Sequence, residues 1–147
     1  MKPKAEAVPF DEQERILFWP TKPGLLREYL NRKIAHPVVR AVASSIADAA
    51  EAAIHRMTQC EPGQPLEFVR DDVPDEDRRE LAAALAAGER GIGYMGFAEC
   101  RICGERLGVF DLHGHGFMWP EHADHYVTRH NVWTPGCERL LAVLRRP

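Results

Sequence analysis

The chain has 147 residues, 45% hydrophobic and 28% charged, which suits one domain with a core of ordinary size. A formal net charge of −3 and a pI near 6.2 supply no cationic surplus for binding phosphates, which argues against a nucleic-acid partner. Nothing apolar follows the opening Met1 to Lys4, and no run approaches the roughly 18 to 20 apolar residues of a membrane span, so a soluble, cytoplasmic protein is expected.

Residues 1–22 are polar and punctuated by Pro3, Pro9 and Pro20, which predicts an arm over the surface. Its apolar cluster of Phe10, Ile16, Leu17, Phe18 and Trp19 must dock back on the domain or meet a partner, and docking is the favoured expectation. Residues 23–90 read as a mainly helical part. From Pro37 to Met57, Val39, Val42, Ile46, Ala49, Ala53 and Met57 recur at spacings of three and four, and Pro37 suits a first helical turn. Much of that face is alanine, so the helix needs a fitted neighbour. The candidates are a shorter helix from about Pro74 to Ala87, or the same helix of a second subunit in a homodimer. Between these helices lie a turn at residues 61–65 and at most a short strand from Leu66 to Val69. The acids Asp71, Asp72, Asp75, Glu76 and Asp77 read as helix N-terminal charge and a solvated face. Gly91, Gly93 and Gly96 match a dinucleotide fingerprint by letter, but a cysteine turn follows where the fingerprint needs a helix.

Residues 91–147 carry the recognisable chemistry. Ile92 to Glu99 should run extended into the turn Cys100-x2-Cys103, where Gly104 gives the backbone freedom it needs. Leu107 to Leu112 predicts a strand, residues 113–116 a turn, and Phe117 to Trp119 a returning strand. A helix is expected to open at Pro120 and carry His122, His125 and Tyr126. The order is that of a zinc finger's ββα unit. A final helix would bury Leu140, Leu141, Val143 and Leu144, with Arg139, Arg145 and Arg146 on its solvated face.

Two thiolates two residues apart can clasp a tetrahedral ion, and paired imidazoles can close it. Cys100, Cys103, His125 and His130 form the preferred metal set, their histidines spaced within the three to five residues such sites accept. His122 with His125 is an alternative pair, as are sets drawing on Cys137, His113 or His115. Cys60 and Cys137 are otherwise free thiols. Glu121 or Asp124 could orient a ligand imidazole, and Trp119 could pack back on Tyr126 or Val127 as a staple.

The motifs Cys100-x2-Cys103-Gly104, Trp119-Pro-Glu121, His125-Tyr-Val127 and His130-x-Val132 resemble a group of small bacterial zinc-binding proteins with a CRxCG, WPExxxHYV, HxV pattern. The resemblance spans about residues 93–135 and does not extend to residues 1–90. It implies ligation by His125 and His130, with glycine usual at the position of His122, and it carries no assigned activity.

Such a Cys2His2 set fills all four positions of a zinc ion, whereas hydrolytic zinc keeps one open for water. The HExxH helix and the deaminase order of His-x-Glu before paired cysteines are both missing. An HNH-like nuclease would find its letters in Asp124-His125 and His130-Asn131, but crowded into eight residues where that motif spreads over a hairpin and a helix. A DNA-reading finger would present acidic Glu121 and Asp124 to phosphates. The reading is therefore an α+β protein with a helical N-terminal part, a C-terminal zinc-finger-like unit and a final helix. Its expected role is that of a non-enzymatic, zinc-stabilised protein that binds or neutralises a protein partner, with the nuclease and the nucleic-acid finger as alternatives.

Overall fold

The computed structural model describes residues 12–19, 25–58, 61 and 63–147. The protein mixes helices and strands in the order β1 (Glu14–Arg15), α1 (Leu25–Lys33), α2 (Pro37–Thr58), a 3-10 turn (Pro65–Phe68), α3 (Asp75–Ala86), β2 (Glu89–Glu99), β3 (Arg106–Gly114), β4 (Phe117–Pro120), α4 (Asp124–Arg129) and α5 (Pro135–Leu144). Phe10 and Cys60 lie outside the described residues. Among the described residues no helix is long and apolar enough to cross a membrane.

The strands form one sheet in the order β1-β4-β3-β2. β3 and β4 pair antiparallel with Gly114 opposite Phe117, leaving a two-residue turn in which His115 (φ 55°) and Gly116 (φ 83°) are both left-handed. That backbone matches the right-handed twist of the flanking strands, which is why such short turns are preferred in hairpins. β2 pairs with β3 through a broken register: Gly93 faces Phe110 and Ala98 faces Gly108, so β2 bulges outward between them. The fingerprint-like glycines thus lie inside a strand.

The apolar end of the arm docks. β1 adds to β4 in parallel, and Ile16 and Leu17 are fully buried in the main core with Leu81, Leu85, Trp119, Tyr126, Val127, Trp133 and Leu140. Ile16 presses on the start of α5 so closely that a Cβ at Gly136 would lie 2.4 Å from its Cγ2; only glycine leaves room. Leu17 adopts φ 58°, and its N–H donates to the buried Glu61 carboxylate at 2.9 Å. Burial raises the Glu61 pKa above its ordinary value, outweighing the bonds from Leu17 and Thr134. The folded state therefore holds this proton more tightly than the unfolded chain. Stability from Glu61 is full below the unfolded pKa near 4.5 and declines as pH rises through the folded value. Glu61→Gln is accordingly expected to be more stable than the parent at neutral pH, with the difference vanishing in urea titrations below about pH 4.5. Glu61→Ala, which strands the Leu17 N–H, is expected to cost about 1–3 kcal/mol; equal pH profiles for parent and Glu61→Gln would refute this account.

Several sequence expectations shift. Among the described residues α3 is not the main neighbour of α2: it buries Leu81 and Leu85 in the main core and packs on α4 and α5, while α2 packs on α1. Leu66 to Val69 is no strand; the chain makes a 3-10 turn and only Val69 bridges, to Val132. The helix expected to open at Pro120 begins at Asp124. Pro120 instead ends β4 opposite Asp111, and left-handed His122 (φ 57°) interrupts any helix before Ala123. The α5 arginines are tied to acids, Arg139 to Glu14 and Arg145 to Asp77 and Glu80.

Candidate metal centre

Cys100 follows the last residue of β2, and residues 101–103 turn back toward β3. Three backbone bonds set the knuckle: Cys100 N–H donates to Glu105 O at 2.8 Å, Gly104 N–H to Cys100 O at 2.8 Å, and Ile102 N–H to the Cys100 sulfur at 3.4 Å. Gly104 sits at φ 76°, which glycine accepts without the Cβ penalty.

α4 supplies the opposite wall. His125 lies in its first turn and His130 follows its last residue, rotated by a capping backbone of φ −122°, ψ 3°. The six-residue helix is short enough for residues at its two ends to face one point. His125 Nε2 stands 3.3 Å from Cys103 Sγ and 3.2 Å from His130 Nε2. The ligand atoms of Cys100, Cys103, His125 and His130 all lie within 4.8 Å of one another, so the four could hold a metal ion. Cys100 is buried, the histidines are half-buried and Cys103 is exposed, which sets the group at the edge of the core.

Burial, with the neighbouring His125 and Arg129, lowers the His130 pKa against a smaller opposing effect of Glu105. That favours the neutral imidazole, the form that ligates. Tyr126 stands behind the knuckle. Its hydroxyl accepts the Arg101 N–H at 2.9 Å and bonds the Cys100 side chain, and burial pushes its pKa up to about 12. Trp19 from the arm meets the Tyr126 ring edge-on at 5.5 Å.

The remaining candidates stay apart from this group. Cys137 is fully buried, bonded to Thr134, and its thiol is pushed up to about 11 by burial. His113 lies on β3 opposite Met118, and exposed His115 occupies the hairpin turn. His122 is exposed, before α4. Neither proposed orienting acid takes that role through a contact with a ligand imidazole in this geometry. Glu121 accepts the N–H groups of Val109 and Phe110 at 3.0 and 3.3 Å and pairs with Arg90. Burial alone would raise its pKa, but those donors and Arg90 bring it below the ordinary carboxylate value. A carboxylate that does approach the cluster is Glu105, whose Oε2 lies 3.6 Å from His125 Nδ1. That is longer than a hydrogen bond, yet close enough for its charge to favour a proton on Nδ1 and leave Nε2 to ligate. Sequence reasoning missed Glu105, for which the letters hold no positional signal. Trp119 shares the buried core with Tyr126 and Val127 and donates its indole N–H to Leu85 O at 2.9 Å, while Trp19 stacks edge-on against Tyr126.

The backbone of His122 gives a direct check on the ligand set. A left-handed non-glycine residue carries a penalty of roughly 1–2 kcal/mol, partly offset by the unfolded-state entropy glycine adds. His122→Gly is expected to leave metal content unchanged and stabilise the protein by about 0.5–1 kcal/mol in urea unfolding. Lost metal would make His122 a ligand.

Comparison with protein-family models, curated proteins and solved structures finds no match to the chain.

Proposed function

We propose that this is a zinc-stabilised, non-enzymatic protein that acts by binding a protein partner, and that zinc closes a finger-like unit of β2, β3, β4 and α4. Two thiolates and two imidazoles are the donor set of structural zinc. At Zn–N and Zn–S lengths of about 2.0–2.1 and 2.3 Å, tetrahedral ligand atoms lie about 3.3 Å (N to N) and about 3.6 Å (N to S) apart. The corresponding separations of 3.2 and 3.3 Å suit that ion. Four protein ligands leave no position for a reactive water, which favours architecture over hydrolysis. The left-handed backbone at His122 also suits the glycine usual at that position in the proteins the motifs resemble.

The observation that carries the partner reading is the edge strand β2. It has no neighbour on its outer side among the described residues, and Ile92, Met95 and Phe97 stand exposed along it. An edge with free backbone groups and apolar side chains can accept an added strand from another protein. The glycines of β2 let another backbone approach.

Capture from the native cell with the full chain as bait, beside a Met95→Asp/Phe97→Asp variant, tests this. A protein retained by the parent and lost by the variant, with equal metal content in both, is the expected result. Retention by both refutes a β2 partner surface. Magnesium-dependent plasmid cleavage that His125→Ala abolishes without unfolding would return the protein to the nucleases. Absorption spectroscopy at the zinc edge is expected to show two sulfur and two nitrogen neighbours; a bound water would refute a closed site.

A further inference from the structure

α1 and α2 form a hairpin that fastens to itself. Arg27 pairs with Asp48, Ser44 donates to Asn31 at 3.2 Å, and the Arg40 guanidinium donates to Ile34 O at 2.9 Å. Ala47 is buried in the middle of α2, but among the described residues neither helix contributes to the main core cluster. The polar groups named here are spent within the hairpin. The other side of α2 presents Val38, Val39, Val42 and Ile46, each between 53% and 66% exposed. At 100° per residue these four fall within about a quarter of the helix circumference.

Two features identify what this face fits. Its apolar positions Val39, Val42, Ile46, Ala49 and Ala53 follow spacings of three, four, three and four, the period of a coiled-coil seam. The seam also tapers, from valine and isoleucine in its first half to alanine in its second. A taper of this kind complements itself when reversed. In an antiparallel pair centred near Ser44, Val42 of each copy meets Ile46 of the other, and Val39 lies over Ala49, bulky against small. Parallel copies would set bulky against bulky and leave gaps between the alanines. Val38, Val39, Val42 and Ile46 offer each copy roughly 400 Å² of apolar surface, so two copies bury on the order of 800 Å², the size of a weak, concentration-dependent contact.

We propose that the α2 seam is a self-association surface, on which two copies of this chain pack antiparallel into a four-helix arrangement that leaves both metal centres outside it. The test is sedimentation of the full, metal-loaded chain from about 1 to about 100 µM, where a concentration-dependent dimer is expected. Val42→Lys and Ile46→Glu change exposed side chains, so helicity and metal content should be kept while each weakens the dimer at least about 100-fold. Mixed in equal amounts, V42K and I46E should associate more tightly than either does alone, because the antiparallel register keeps one Val42–Ile46 contact and sets the one new ammonium against the one new carboxylate. A parent monomeric throughout the range, a dimer indifferent to both single substitutions, or a mixture no tighter than its components would each overturn the proposal.

Discussion

Cys100→Ser is expected to lose the metal and lower the thermal midpoint by at least about 10 °C, the largest effect of any substitution at the site. The side chain is 3% exposed, and its sulfur is met by the Ile102 N–H and the Tyr126 hydroxyl. Serine offers a harder, shorter donor there and leaves Cys103, His125 and His130 to hold the ion as three. Zinc-finger peptides gain about 10–16 kcal/mol from metal binding at neutral pH, and losing even 3–5 kcal/mol shifts a chain of this size by about 10–20 °C. Calorimetry with metal analysis reads both outcomes. Chelation of the parent should release reactive thiols at Cys100 and Cys103 while buried Cys137 stays silent until the core opens. A Cys60→Ser background confines that count to the three cysteines just named. A Cys100→Ser protein with parental metal content and midpoint would remove the metal centre from the explanation of this fold.

Trp119→Ala should cost about 4–6 kcal/mol, combining the 3–5 kcal/mol of an emptied aromatic site with about 1 kcal/mol for the lost indole bond. The ring is fully buried, and it seats so tightly beside Gly88 that a Cβ there would lie 2.7 Å from Cζ2. Its N–H is the donor for Leu85 O, so one side chain ties β4 to the last turn of α3. Trp119→Phe keeps part of the ring and should lose about 1–3 kcal/mol. Urea unfolding separates the two variants. A loss below about 1 kcal/mol for the alanine would mean that the ring does not organise the junction of sheet and helix.

The elements legible in the sequence are those whose local signals agree with their tertiary setting. α2 follows its three-and-four spacing and begins at Pro37, and the hairpin turn falls on His115 and Gly116. The four residues that cluster and could hold a metal are those preferred from spacing, because a Cys-x2-Cys turn and a His pair admit few geometries. β1 was not legible: two residues have no periodicity, and Glu14 and Arg15 become strand only by pairing with β4. The start of α4 was misplaced because Pro120 suits a strand end as well as a first helical turn, and nothing in the letters reveals a left-handed His122. Glu105 escaped because an orienting carboxylate has no required spacing from the histidine it serves.

The docking of the arm has a consequence for the order in which this protein can mature. Ile16 rests on Gly136, Glu14 pairs with Arg139, and Ile16 N–H donates to Met118 O at 2.9 Å. During synthesis at about 5–20 residues per second, the interval between these contact partners is on the order of 10 s. Ile16 and Leu17 wait through it without their α5 contacts. The knuckle and α4, by contrast, lie only about twenty residues apart, so their contacts close a short loop. Closure of the arm is therefore the most long-range step of this fold, and it follows local structure such as the β3–β4 hairpin.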